Sequence, residues 1–556
     1  MTSGYTPPSD ARLAASLLLL RDGDNGPEVL MLRRAERDND LRSGAAVFPG
    51  GVLEASDREA HALVMGATDA ELSARYGLSD GLLSYAVAAV RETFEEVGLL
   101  LACDDRGRPA EAQPGWDDWR TRLQQGQATL ADMARALEMR LDLRRLQCWS
   151  HWLTPPGVPK RFDTRFFIAP APAGQVAVAD EGEALELMWL TPAQALEPAR
   201  GLKLLPVTQR TLRDLSVFKS TAEALAAAAA QGTIPRTMPR RCVNRQGPTV
   251  VLPDHWAYAE VTKLDPDGLR HDASCDLVPG LPVRLSERVL RVTAPNPGMM
   301  TGPGTNSYFV GDPVANQWAL IDPGPADPVH LAALQAAAPG PVRWVLATHT
   351  HVDHSPGCAG AAAAFGATVL GRLPVHPGGQ DASFRPARQP EHGERLALGP
   401  GSTLRVIHTP GHASNHLCWL LEEEKLLFTG DHVMLGSTVV INPPDGDMGA
   451  YLRALNALLD EDLQWLAPGH GFLVADPHAV VRALVAHRLR REAKVVDALR
   501  PRGQATLDEM LPEVYADTPP RLHPVARRSL LAHVLKLRDD GRVAADGERW
   551  RWVGAE

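Results

Sequence analysis

The run Thr348-His349-Thr350-His351-Val352-Asp353-His354 follows the apolar segment Arg343-Trp344-Val345-Leu346-Ala347 and gathers three imidazoles and one carboxylate into six residues. Three further groups recur in the same setting, each on a Gly-bearing turn after an apolar stretch: His412 in TPGHASNH, Asp431 in FTGDH and His470 in APGHG. A fold that uses them together must bring four strand-end loops to one point.

The chemistry that calls for such a set is metal binding. A zinc-like divalent ion takes about four N, O or S ligands near ~2 Å, and hydrolytic sites keep one position for water. Two ions need about twice as many ligands, which the set supplies. His349 and His351 can project to one side, Asp353 and His354 to the other, and a carboxylate such as Asp431 can lie between. Lone residues such as His330, His392 and His523, among 19 His in 556 residues, read as ordinary surface histidines.

From about Leu285 to His470 the chain resembles the metallo-β-lactamase superfamily, with Asp322 in LIDPG, the THTHVDH run, His412, Asp431 and His470 in the superfamily's order. The resemblance implies that His349, His351 and His412 hold one zinc, Asp353, His354 and His470 a second, and Asp431 bridges them. It also implies that Asp322 orients the site from behind, as carboxylates outside a metal's own ligands commonly do. Asp353 and Asp431 are assigned to catalysis as well as to metal. One fold of this kind carries many reactions, so a hydrolase is implied more firmly than a substrate.

Upstream, Arg91-Glu92-Thr93-Phe94-Glu95-Glu96-Val97-Gly98-Leu99 ends an Ala- and Val-rich segment that starts near Leu82 and follows Pro49-Gly50-Gly51. In a helix, Glu92, Glu95 and Glu96 share one face. Three anions on one stripe invite a cation, and all-oxygen ligands suit Mg²⁺ or Mn²⁺. The whole phrase resembles the Nudix box, and the chain is similar to Nudix hydrolases over about residues 10 to 215. The resemblance assigns Arg91 and Glu92 to catalysis, with Glu92 or another acid as the base, and a small-molecule diphosphate as substrate. The box is interrupted: Gly51 to Arg91 spans 40 residues, an insertion of 26. Asp57 stands where the family has its first Glu, with Glu54 and Glu59 nearby. Such interruption resembles the subgroup that includes acyl-CoA diphosphatases, and AVFPGGVLEASD and WLTPPGVPKRFDTRFFIA agree with it. In the latter, Lys160, Arg161 and Arg165 alternate with Phe162, Phe166 and Phe167, either as a substrate strip or as ordinary half-buried strand alternation.

The fold class expected is a multidomain α/β and α+β chain: a Nudix α/β/α sandwich (1–230), a connecting segment (231–283), a metallo-β-lactamase αββα sandwich (284–485) and a small winged helix (486–556). The Ala-rich stretch 221–230 reads as a spacer helix. Helices expected at His487 to Leu499, Leu507 to Tyr515 and Val525 to Leu537, then a hairpin ending in Trp550-Arg551-Trp552-Val553, suggest the winged helix. This tail resembles the appendage of lactamase-β-like endoribonucleases, which keeps nucleic acid open as a partner. Charge weighs against it. Residues 486–556 hold 14 Lys and Arg against 11 Asp and Glu, a net of +3 in a chain of −10, too little for a strong phosphate footprint. Packing or a homodimer is the other role considered for the tail. Six scattered Cys without CxxC spacing suit reduced thiols in the cytoplasm. The apolar Leu13 to Leu20 is too short to span a bilayer, so no membrane partner is expected, and no export signal or C-terminal peroxisomal tripeptide is evident.

Overall fold

A computed structural model describes residues 7–34, 43–180, 184–436 and 438–554. The chain divides into two compact units, Met1–Arg240 and Arg241–Glu556.

The first unit is organised by strand Ala11–Gly23, whose segment 14–20 is buried on both faces. Side chains alternate across a strand, so Leu17 and Leu19 enter one core with Phe94 and Phe167, while Leu18 and Leu20 enter another with Val29 and Met31. A continuous Leu run is what a sheet covered on both faces demands. The strand pairs antiparallel with Gly26–Arg34 and Gly50–Val52, and parallel with Arg161–Pro170. Helix Leu82–Val97 covers one face, and helices Pro206–Leu215 and Thr221–Ala230 cover the other. The Ala-rich helix read as a spacer is therefore part of the sandwich, with Ala224 and Ala228 buried in the second core. The unit also continues past residue 230: Arg236–Thr237 pairs with Gln147–Leu153. The insertion in the box forms the 3₁₀ helix Ala55–Leu63 and helix Asp69–Arg75. Between them Val64–Met65 pairs with Arg140–Asp142, which also pairs with Ala102–Cys103.

In the second unit two six-stranded sheets face each other across a core that includes Val310, Ile321, Leu346, Val406, Trp419 and Phe428. Helices Pro328–Ala337 and Cys358–Phe365 cover the first sheet, and Met448–Ala457 and Pro477–Leu499 the second, giving an αββα sandwich. Each sheet turns from antiparallel to parallel near one edge, at Gln317–Ile321 beside Val342–Leu346 and at Leu426–Gly430 beside Trp465–Pro468. Loops leaving these strands carry Asp322, the THTHVDH run, Asp431 and His470, and the loop after strand Ser402–His408 carries His412.

The stretch 231–283, expected to be connecting loop, is built differently. Strands Arg240–Asn244 and Gly247–Val251 and helix Tyr258–Leu264 lie in it, and Cys242, Val251, Ala257, Val261 and Cys275 form a small core with Phe472. Its Pro and Arg content hides these elements because each is at most seven residues long and is held by tertiary contacts. Glu260 anchors the helix by a two-point ion pair with Arg291, at 2.6 and 2.8 Å, both side chains 1% exposed.

The tail is a winged helix, with strands Gln504–Thr506, Val543–Asp546 and Arg549–Trp552 and helices Leu507–Val514 and His523–Asp539. Its first helix starts at Pro477, ten residues before the expected His487, because Asp476 adopts a left-handed φ of 51° and Pro477 is pre-set for the first turn. This helix has Val481 in the sandwich core and Val495 and Leu499 in the winged-helix core, so a boundary at 486 falls inside continuous helix.

Candidate metal centres

In the second unit the four loops converge. Among the described residues, three groups have ligand atoms all within 4.8 Å of one another: His349, His351 and His412; Asp353, His354 and His470; and His349, His354 and Asp431. The first two are the triads implied by the sequence, and the third shows Asp431 lying between them. Its Oδ2 is 3.7 Å from His412 Nε2, and its Oδ1 is 3.4 Å from both His354 Nε2 and His470 Nε2. Asp353 Oδ2 is 3.3 Å from the same two nitrogens.

The rings are aimed by their other nitrogens. Asp322, buried in a left-handed backbone turn, accepts Thr348 N and Oγ1 at 2.7 Å each and stands 2.9 Å from His354 Nδ1. Val440 O lies 2.8 Å from His412 Nδ1 and Gly304 O 3.2 Å from His470 Nδ1. In the first triad His351 Nδ1 lies 2.9 Å from both His349 Nε2 and His412 Nε2, whereas His354 Nε2, His470 Nε2 and Asp431 Oδ1 are buried without a hydrogen-bond partner. Buried polar atoms are rarely left so, and mixed imidazole and carboxylate donors at this spacing fit a pair of transition-metal ions. Without ions, burial opposes a charged His470, but Asp431 and Asp353 outweigh it and raise its pKa to about 9.

Two histidines not singled out from the sequence brace the set. His416 Nε2 accepts from Asp431 N at 3.2 Å and its ring stacks on His349 at 5.0 Å. His432 is fully buried against His416 and Tyr451, and burial pushes its pKa down to about 3. Both sit in the quoted motifs TPGHASNH and FTGDH. Only contacts separate a bracing His from a ligand.

The centre forms the floor of a cavity of about 780 Å³. Met299, Met300 and Met434 line it from the sandwich, and Leu522 and Val525 from the winged helix. Arg488 and Arg491 also face it, but both are engaged: Arg488 donates to Val439 O, and Arg491 to Val514 O and to Asp517 at 2.8 Å.

In the first unit the box residues gather at the end of helix Leu82–Val97. Arg91, 4% exposed, donates from Nε to Asp57 Oδ1 at 2.8 Å and from Nη1 to Glu92 at 3.0 Å and Glu95 at 3.4 Å. Asp57 is thus the buried carboxylate that takes Arg91, whereas Glu54, exposed, reaches Arg91 Nη1 only at 3.9 Å and Glu59 is exposed. Glu96 accepts from Gly50 N at 2.9 Å. Gly50 is required, since at φ +153° a Cβ there would meet Ala15 O, and a Cβ on Gly51 would displace the Glu92 carboxylate. Burial, with Arg91 working against it, pushes Glu92 up to about 7. Glu92, Glu95 and Glu96 do not close to within 4.8 Å of one another as the histidine site does. Arg91 Nη1 holds Glu92 and Glu95 while Gly50 N holds Glu96, and an ion bound through few carboxylates and several waters tolerates that spacing. The Lys160 to Phe167 strip does not form one surface: Phe167 is core, Arg161 pairs with Asp10 at 2.8 Å and Arg165 is buried.

An α/β/α unit carrying a carboxylate helix and an αββα unit carrying a histidine-rich double centre define a metal-dependent hydrolase. Comparison with known families agrees. The chain matches the NUDT19 Nudix domain over residues 79–204, the metallo-beta-lactamase superfamily over 300–470 and the beta-lactamase associated winged helix domain over 506–552. It is 34% identical over 293 residues to an atrochrysone carboxyl ACP thioesterase of Aspergillus chevalieri, covering 49% of this chain and 89% of that protein. It is 32% identical over 293 residues to the lactamase-like protein vrtG of Penicillium aethiopicum (50% and 91%), and 29% over 283 residues to the beta-lactamase-like protein 2 homolog of Drosophila melanogaster (48% and 93%). The chain belongs to the metallo-β-lactamase superfamily and carries a Nudix domain ahead of that fold. No helix among the described residues is long and apolar enough to cross a membrane.

Proposed function

We propose a bifunctional hydrolase of CoA-type metabolites, in which the second unit cleaves a thioester and the first a diphosphate. The observation that carries the first half of this reading is the cavity: two donor triads meet at Asp431 beneath a wall of Met299, Met300, Met434, Leu522 and Val525. The lining is mixed, with Arg488, Arg491 and Arg528 also facing the cavity, but its apolar wall above a hydrolytic floor suits an acyl chain, and a thioesterase is among the relatives.

His349, His351 and His412 would hold one zinc, and Asp353, His354 and His470 the other, with Asp431 shared. Bound zinc supplies a Lewis acid that lowers the pKa of water and polarises a carbonyl. The chain does the rest. Asp322, Val440 O and Gly304 O keep three imidazoles in one tautomer each, so no rearrangement is needed during reaction. Asp353, which lines the cavity, would take the proton of the attacking water. Met and Leu side chains exclude solvent around the acyl arm.

In the first unit Glu92, Glu95 and Glu96 would hold Mg²⁺ or Mn²⁺, which withdraws charge from the diphosphate. Arg91, fixed by Asp57, positions Glu92 and Glu95. Glu92, near neutrality in its proton affinity, is suited to accept a proton from water.

The RNA-processing alternative loses support from the charge of the tail, a net of only +3 over residues 486–556, and Arg491 is engaged by Val514 O and Asp517. A panel of acyl-pantetheine thioesters, CoA and short RNA decides between the two. Thiol release from the first and diphosphate cleavage of the second are expected, with RNA intact. RNA cleavage without thiol release overturns the thioesterase reading.

A further inference from the structure

Asp445 lies in none of the motifs that carry the candidate ligands, yet it is 9% exposed and accepts four hydrogen bonds. His376 N and Ser414 Oγ donate to its Oδ1 at 3.2 and 2.5 Å, and Gln380 Nε2 and Ser414 N to its Oδ2 at 2.9 and 3.1 Å. Burying a carboxylate is unfavourable unless donors surround it. A group engaged this fully in turn fixes whatever donates to it.

Its donors lead to two of the loops that bear candidate ligands. Ser414 stands two residues past His412. Gln380 passes the contact on, its Oε1 accepting from Thr350 Oγ1 at 2.9 Å, and Thr350, between His349 and His351, accepts from Asn415 Nδ2 at 2.8 Å. Asp445 sets the direction of this chain. A carboxylate only accepts, so Gln380 turns its NH₂ toward Asp445 and its oxygen toward Thr350. The segment 440–447 grips the His412 loop at two further points: Asp447 N donates to Gly411 O at 2.8 Å, and Val440 O lies 2.8 Å from His412 Nδ1.

We propose that Asp445 is a positioning residue for the ion held by His349, His351 and His412, clamping the His412 loop to the THTHVDH loop. This role presupposes the pair of ions and goes beyond it, assigning the spacing of the first triad to a carboxylate outside it. Asn cannot replace Asp445 here. Whichever way its amide turns, the NH₂ meets a backbone N–H, that of His376 on one side or of Ser414 on the other.

Zinc content of the full chain, equilibrated in chelator-buffered zinc and read by metal analysis, tests this without turnover. Wild type is expected to hold a pair of ions. Asp445→Asn should lose one of them, its affinity falling at least about tenfold, and the visible spectrum of the cobalt-loaded protein should change with it. Asp312→Asn supplies the contrast: Asp312, a buried carboxylate of the same unit, accepts from Val314 N, Ala315 N and Gly401 N, so the variant should lower the melting temperature yet spare both ions. Ser414→Ala, which removes only the 2.5 Å contact, should weaken the same ion by a smaller factor and decides the matter if Asp445→Asn does not fold. A folded Asp445→Asn that holds both ions as tightly as wild type, or an equal loss in Asp312→Asn, overturns the role of Asp445. Wild type without tightly bound zinc overturns the metal-centre reading, and the role of Asp445 with it.

Discussion

His330 shows how far a single residue can differ from its sequence impression. Read as an ordinary surface histidine, it is 1% exposed, with Nε2 2.9 Å from Ser307 Oγ, and burial lowers its pKa from 6.5 to about 4. The sign follows from proton counts. Between these two values the unfolded chain binds a proton that the folded one refuses, so stability falls as pH drops. By pH 5 the loss is about 2 kcal/mol, approaching ~3 kcal/mol below pH 4. Urea unfolding at pH 7 and pH 5 should show this difference in wild type and much less of it in His330→Gln; equal pH dependence in both would remove His330 as a source. The candidate ligands, by contrast, are legible because metal binding restricts residue type: imidazoles and carboxylates set together on strand-end turns have few uses besides holding cations. The bracing roles of His416 and His432, and the choice of Asp57 over Glu54 and Glu59 as partner of Arg91, are set by contacts between distant segments. No local pattern announces them.

At the scale of elements, period and length governed what could be read. The Leu-rich first strand, the carboxylate helix and the winged-helix segments each repeat a pattern for long enough to identify themselves. Helix Tyr258–Leu264 does not: seven residues carry no clear stripe, and its place depends on Glu260 meeting Arg291 and accepting Leu473 N at 2.9 Å. Removing one partner of such a buried pair leaves the other charge uncompensated, so Glu260→Gln should cost about 3–5 kcal/mol. Denaturant unfolding of the second unit checks this, and a cost under ~1 kcal/mol would mean the pair is solvated in solution. Because Leu473 follows His470 by three residues, the same pair steadies the strand end from which one proposed metal ligand projects.

For the whole molecule, the two proposed centres draw on different donors in different units, and their activities should separate. Asp431→Ala is expected to abolish thioester cleavage, by at least ~10³-fold, while diphosphate cleavage stays near wild type. Glu96→Gln should silence diphosphate cleavage and leave zinc content unchanged by metal analysis. Loss of both activities in a folded Asp431→Ala protein would refute their independence.

Helix Pro477–Leu499 has a consequence for how such chains can be rebuilt. Its 23 residues serve two cores, with no turn between them. Recombination that grafts a different tail onto this hydrolase cannot cut at the apparent seam without breaking a rod that both parts lean on. With Val481 in one core and Val495 and Leu499 in the other, no cut between the last sandwich strand and the tail spares both, so tail and sandwich should be inherited as one block.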